Sequence, residues 1–292
     1  MASQAKRQRQ KDARRARLEE ARIAEARRKR RRQFLYLGGL AVVVVGILFV
    51  LSRGDDDDGD EVSTATSTSS STVPRAPFTF GTGPCPAPDG SSPQTLTFPD
   101  APQQCIDPAN GYLAAFDTTA GPVRVQLDTA VTPGTANNFA ALARYHYYDG
   151  TNLFRTNTGI GILQGGSPNT QDNSDPGPGY NLPDEGFDYN AIDGQGGPYA
   201  PYQAGDLVMA RGAQANGASA QFFFCVTAAC SGLDSQGVYV RFGRVVEGLE
   251  VLEAILGSHQ ATNPASPDEG APDPVPVVNS ITIEEAPPAP AG

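Results

Sequence analysis

The chain has 292 residues, with 32 glycines, 25 prolines, four cysteines, two histidines and a formal net charge of −10. That length allows one or two domains, and glycine and proline concentrated after residue 74 exclude a plain helical bundle in favour of a loop-rich β domain. The charge is split: residues 1–33 hold fourteen Lys/Arg against four Asp/Glu, whereas the remainder holds eight against 28, an acidic balance that disfavours nucleic acid as a partner.

In chain order, residues 1–33 are rich in Ala, Arg, Glu and Gln and read as a basic surface helix in the cytoplasm. Positive charge beside a membrane span needs no role beyond setting topology. Phe34–Ser52 follows, a run of 19 residues without a charge. As a helix it would span roughly 28 Å, close to the hydrocarbon core of a bilayer. A cleaved signal peptide would have a shorter basic lead-in and a small-x-small site, which is missing after Leu51. The run therefore reads as a single uncleaved transmembrane helix in the cell membrane, with everything after Arg53 on the extracytoplasmic side.

Asp55–Asp58, Asp60, Glu61 and a Ser/Thr-rich stretch to Thr72 make residues 53–84 an extended, disordered linker. The aspartate run lacks the loop spacing and carbonyl partners of a calcium site. All four cysteines fall on the outer side, where an even count reads as two disulfides with three connectivities. The local choice is Cys85–Cys105 and Cys225–Cys230, the first bounding a lead-in over 85–110. The alternative for Cys225 is a buried free thiol within the apolar run Phe222–Val226.

From Tyr112 the pattern becomes that of a β domain. Tyr112–Asp117 and Pro122–Asp128 form a hairpin around Thr118–Gly121. Pro133–Arg144 carries a helical apolar face at Ala136, Phe139, Ala140 and Leu142–Ala143, with Thr132 as its cap. Phe154–Leu163, Leu207–Ala210, Gln221–Thr227 and Val238–Val245 are strands between Gly-rich loops. Glu247–Leu256 reads as a second helix, Val278–Glu284 as a closing strand, and 286–292 as a disordered Pro/Ala-rich tail. Two helices among many short strands predict a mainly β fold: a closed antiparallel barrel capped by two helices.

Over roughly residues 111–285 the chain resembles the cyclophilins. Seven segments occur in that family's order: TPGTANNFAALAR (132–144), YYDGTNLFR (147–155), LQGG (163–166), GPGYNLPDE (177–185), LVMARG (207–212), AQFFFC (220–225) and VRFGRVVEGLEVLEAI (240–255). With the basic segment and apolar span, the whole looks like the membrane-anchored cyclophilins of Gram-positive, actinobacterial-type cells. The resemblance implies a peptidyl-prolyl cis-trans isomerase, with Arg155 and Gln164 as catalytic residues. Its substrate-binding positions fall on Ile160 (or Gly161), Ile162, Ala210, Arg211, Gln221, Phe223, Leu233 and Tyr239.

Several positions depart from the family pattern. Phe154 stands where the family has His, Arg211 where Asn is usual, Gly232 for Trp and Tyr239 for His. Ile160 and Ile162 replace an aromatic residue and a Met. The stretch from Arg155 to Gln164 is one residue longer than usual, so counting backwards from Gln164 would select Thr156 as the catalytic position. Counting forward from Asp149-Gly150 selects Arg155, and the glycine-rich segment Gly159–Gly161 absorbs the extra residue.

Rotating an X-Pro bond means crossing an amide barrier of about 18–20 kcal/mol without forming a bond to the protein. No nucleophile, general base, metal or cofactor is expected, and His146 and His259 both lie outside the matched pocket. A guanidinium can donate towards the prolyl nitrogen as its lone pair localises, favouring the twisted state over both planar ones. Gln164 would hold the carbonyl side while Phe223, Leu233 and Ile162 surround the ring. Two readings follow, with proline-containing polypeptide segments as the partner in both. One is an isomerase assisting exported or surface proteins, which Arg155 favours. The other is a non-catalytic proline-binding module, which the altered pocket favours.

Overall fold

A computed structural model describes residues 78–186 and 201–287. The basic segment, the apolar span, the linker up to residue 77 and the tail after 287 lie outside the described residues. Among those described, no helix is long and apolar enough to cross a membrane.

The elements are β1 (Gly111–Thr118), β2 (Val123–Leu127), α1 (Pro133–Arg144), β3 (Thr151–Asn152), β4 (Arg155–Asn157), β5 (Ile162–Gly165), β6 (Asp206–Arg211) and β7 (Ala218–Cys225). A short 3-10 helix (Ala228–Leu233) follows, then β8 (Arg241–Glu247), α2 (Leu249–Gly257), β9 (His259–Ala261), β10 (Glu269–Pro272) and β11 (Val277–Ala286). Burial alternates along β2, as the period of a half-buried strand requires. Gly248 starts α2 in the left-handed region (φ 87°), where an added Cβ would also run into Pro122 O.

α1 begins at Pro133, whose fixed φ suits the first helical position. Thr132 does not cap it by its side chain; its hydroxyl donates instead to Asp128 O at 3.0 Å. The cap comes from 50 residues away. Buried Glu185 accepts from Gly134 N at 3.0 Å, from Thr135 N at 2.6 Å and from the Thr135 hydroxyl at 2.6 Å. A carboxylate there satisfies orphan amides and meets the positive end of the helix dipole.

The eleven strands form one antiparallel sheet in the order β3-β11-β1-β2-β8-β6-β7-β5-β4-β10-β9. The closed barrel expected from the sequence is not what the hydrogen bonds make. The sheet is open, because segment 151–157 pairs with β11 through β3 and with β5 and β10 through β4, and Leu153–Phe154 between them belong to neither ladder. The single strand expected over Phe154–Leu163 likewise splits into β4 and β5 around the turn at 158–161.

Inside the sheet, Phe116, Phe139, Tyr148, Phe222, Phe224 and Phe242 pack ring against ring at centroid separations such as 5.4 Å for Phe116–Phe224 and 5.0 Å for Phe139–Tyr148. Side chains alternate along β7, so Phe222 and Phe224 face this core while Phe223 and Cys225 face a second cluster.

Both local cysteine pairs are disulfides. Cys85–Cys105 has a Cα separation of 5.3 Å and Cys225–Cys230 one of 5.5 Å, so the free thiol considered for Cys225 does not occur. The lead-in lies over α1. Cys105 N and Ile106 N both donate to Asn137 Oδ1, and Asn137 Nδ2 donates to Gln103 O at 2.9 Å. Phe98 meets Tyr145 and Tyr180 with ring centroids 5.0 and 6.4 Å apart. Every residue of α1 after Pro133 is consequently buried.

Candidate active site

The site is laid out by strand register. β4 and β5 pair Arg155 with Gln164, and β5 and β7 pair Gln164 with Phe223, so these three side chains form a row on one face of the sheet. Thr156 points the other way. It is fully buried, with its hydroxyl 2.7 Å from His259 Nδ1. Arg155, and not Thr156, therefore faces Gln164. The extra residue sits in the 158–161 turn, where Gly161 has φ 61° and an added Cβ would collide with Thr227 Oγ1.

Polar contacts lock the row. Arg155 Nη1 donates to Gln164 Oε1 at 2.7 Å, and Gln164 Nε2 donates to Gln221 Oε1 at 2.9 Å and to Asn173 Oδ1 at 2.8 Å. On its other edge, Arg155 Nε donates to Glu269 Oε2 at 2.9 Å and Nη2 to Glu269 Oε1 at 2.7 Å. Asn157 Nδ2 adds a third donor to Glu269 at 2.6 Å. The Arg155 hydrogen bonds, helped by Asn157, hold the Glu269 carboxyl below its ordinary value against the opposing effect of burial. A guanidinium has five N–H donors. Three are engaged among the described residues, which leaves one on each terminal nitrogen.

Beside this network stands an apolar wall. Ile162, Phe223 and Leu233 are buried in it, with Ile160, Ala210 and Tyr239 packed at its margin. Phe223 and Tyr239 meet edge to face at 5.7 Å. The Cys225–Cys230 disulfide fastens the 3-10 helix that carries Leu233 back onto β7. Tyr202 steadies the opposite margin: its hydroxyl donates to Tyr239 O at 2.7 Å and accepts from Tyr239 N at 2.9 Å.

A polar groove adjoins the wall, a cavity of about 430 Å³ lined by Gln164, Asn173, Asn181, Ala210, Arg211 and Gln221 among others. Arg211 is drawn away from the apolar wall. It donates to Val238 O at 3.0 Å and to Gln214 O, and pairs with Asp184 at 3.5 Å, so it ties loops together at the groove margin.

Of the residues singled out from the sequence, Arg155, Gln164 and Gln221 share one hydrogen-bond network. Ile160, Ile162, Ala210, Phe223, Leu233 and Tyr239 share one apolar cluster, and Arg211 lines the groove. Sequence reasoning missed Glu269, Asn173, Asn157 and Tyr202. The chemistry the arrangement offers is a slot for a small apolar ring beside a fixed cation with donors to spare.

The slot lies on one face of the antiparallel sheet, with the Arg155 donors in register beside the apolar wall. The family model for cyclophilin type peptidyl-prolyl cis-trans isomerases matches residues 113–282. The peptidyl-prolyl cis-trans isomerase cyp18 of Streptomyces antibioticus is 32% identical over 148 residues, covering 49% of this chain and 81% of that protein. A peptidyl-prolyl cis-trans isomerase of Synechococcus elongatus is 33% identical over 144 residues, covering 49% and 87%. Among solved structures, a cyclophilin type peptidyl-prolyl cis-trans isomerase of Cryptosporidium parvum aligns with a TM-score of 0.48 at 26% identity, over 61% of this chain and 99% of that one. The chain belongs to the cyclophilin-type peptidyl-prolyl cis-trans isomerase family.

Proposed function

We propose that this chain isomerises X-Pro bonds of exported or surface proteins, working outside the cell from a single membrane anchor whose N-terminal flank stays in the cytoplasm. The observation that carries the catalytic part is the row Arg155–Gln164–Phe223, a fixed guanidinium in register with an apolar wall. A proline ring seated against Phe223, Ile162 and Leu233 would place its nitrogen towards the remaining Arg155 donors. Rotation localises the nitrogen lone pair, and a donor aimed there binds the twisted state better than either planar one. Gln164, itself held by Gln221 and Asn173, keeps the guanidinium in place.

The location rests on the uncharged run Phe34–Ser52 behind a strongly basic flank and on disulfides beyond it, which persist in oxidising compartments. Two measurements test the proposal. The full chain should accelerate cis-to-trans conversion of a proline-bearing test peptide in a protease-coupled assay. It should also sediment with membranes and lose the part after Arg53 to protease added outside intact cells. Peptide binding without acceleration would make the chain a proline-binding module, and a soluble mature form starting near residue 52 would replace the anchor with a signal peptide.

A further inference from the structure

We infer that Glu269 is a positioning residue for the isomerisation proposed above, acting through Arg155 rather than on the substrate. Its carboxylate grips the Nε–Nη2 edge of the guanidinium with two hydrogen bonds, at 2.9 and 2.7 Å. Paired, planar contacts of this kind fix rotation about the arginine side chain as well as its position. Gln164 holds Nη1 from the opposite strand, so the guanidinium is clamped between β5 and β10. With both edges held, the donors left on Nη1 and Nη2 have a set direction.

The carboxylate is itself held. Asn157 Nδ2 donates to Glu269 Oε1 at 2.6 Å, and the register pairs Glu269 directly with Asn157 across β10 and β4. Gly270, next in the chain, pairs with Thr156 and lies so close to Gln260 O that no side chain fits, which keeps β10 tight against β4 and β9. His259, on β9, is tied instead to Thr156 and to Pro267 O. Asp268, the neighbouring acid, accepts from Thr158 rather than from Arg155. The Arg155 ion pair thus belongs to Glu269. Its 40% side-chain exposure makes a mainly stabilising role unconvincing, since exposed pairs add little to folding.

The test separates positioning from structure by asking whether Glu269 matters when Arg155 is absent. Four forms of the full chain are compared: wild type, Glu269→Gln, Arg155→Ala and the double variant. Gln keeps the size of Glu but turns an N–H towards an arginine donor, so the clamp opens on one side. The expected result is a loss of about 10- to 100-fold in kcat for Glu269→Gln with KM little changed, because misplacement of a reacting group by about 1 Å costs on that order. In the Arg155→Ala background the same substitution should change kcat by less than about twofold, as residues acting as one unit are non-additive. Glu269→Asp, which keeps the charge but shortens the reach, should fall between Gln and wild type.

Wild-type kcat in Glu269→Gln would overturn the inference. So would an equal fold-loss in the two backgrounds, which would mark a structural role, as would a parallel drop in thermal midpoint that accounts for the lost activity. Absence of activity in the wild-type chain would overturn the isomerase reading and this inference with it, an outcome distinct from an active wild type that is indifferent to Glu269.

Discussion

Replacing Glu185 by Ala should destabilise the domain by about 2–4 kcal/mol, because a distant carboxylate, not Thr132, caps α1. Three donors of the first turn converge on Glu185: Gly134 N, Thr135 N and the Thr135 hydroxyl, at 3.0, 2.6 and 2.6 Å. Loss of an ordinary N-cap costs about 0.5–2 kcal/mol. Hydrogen bonds to charged groups contribute more, about 1.5–3 kcal/mol each, and buried amides left without an acceptor carry a further desolvation cost. Against this stands the relief of removing a buried charge, which keeps the net well below the sum. Glu185→Gln keeps one acceptor oxygen and turns an amide N–H towards the donors, so about 1–2 kcal/mol is expected. Urea denaturation of the full chain, followed by far-ultraviolet circular dichroism, measures both. A loss under about 0.5 kcal/mol for Ala at unchanged denaturant slope would refute the capping argument.

Cys85→Ser with Cys105→Ser should lower stability by up to about 3 kcal/mol, the chain-entropy value for the 20-residue separation, with amides of the lead-in gaining faster hydrogen exchange; unchanged exchange would contradict it. Hydrogen bonding of His146 to Gly90 O, and then to Asp149, raises the imidazole above its ordinary 6.5. Its contribution is therefore fully present below 6.5 and lost as pH rises through the raised value. Lead-in stability should fall over that window in the wild type and stay flat in His146→Asn, a residue that tolerates the φ of 55° at this position. Thr156→Ala should leave kcat within about threefold of wild type, because the hydroxyl faces His259 and not the pocket. Loss of activity there would place the wrong residue at the centre of the site.

How far the sequence announced this structure follows from which interactions are local. α1 was legible to the residue, because Pro133 marks its start and the apolar face recurs at helical spacing. Phe223 was picked out by the resemblance alone, because Phe222–Val226 reads as one apolar run; only the structure divides Phe222 and Phe224 from Phe223 between two clusters. β3, β9 and β10, at two to four residues each, are too short for any periodicity to register. The open sheet was hidden for a related reason: it depends on where segment 151–157 changes partner. Glu185 and Glu269 act across 50 and 114 residues of sequence, and neither carries a local pattern that announces its partner. Arg155 and Gln164 were legible through the family segments YYDGTNLFR and LQGG that carry them, whereas their pairing across β4 and β5 was not, because Phe154–Leu163 read as one strand.

The central claim is that Arg155 stabilises the twisted X-Pro bond, and the direct measurement is protease-coupled isomerisation by the full chain beside its Arg155→Ala variant. The wild type should accelerate the conversion and the variant should lose about 10²–10³ in kcat/KM, the usual cost of one preorganised donor, with a thermal midpoint that barely moves. Arg155→Lys should recover little, since an ammonium cannot reproduce the planar fork gripped by Glu269 and Gln164. Equal activity in wild type and Arg155→Ala, or none in the wild type, would contradict it.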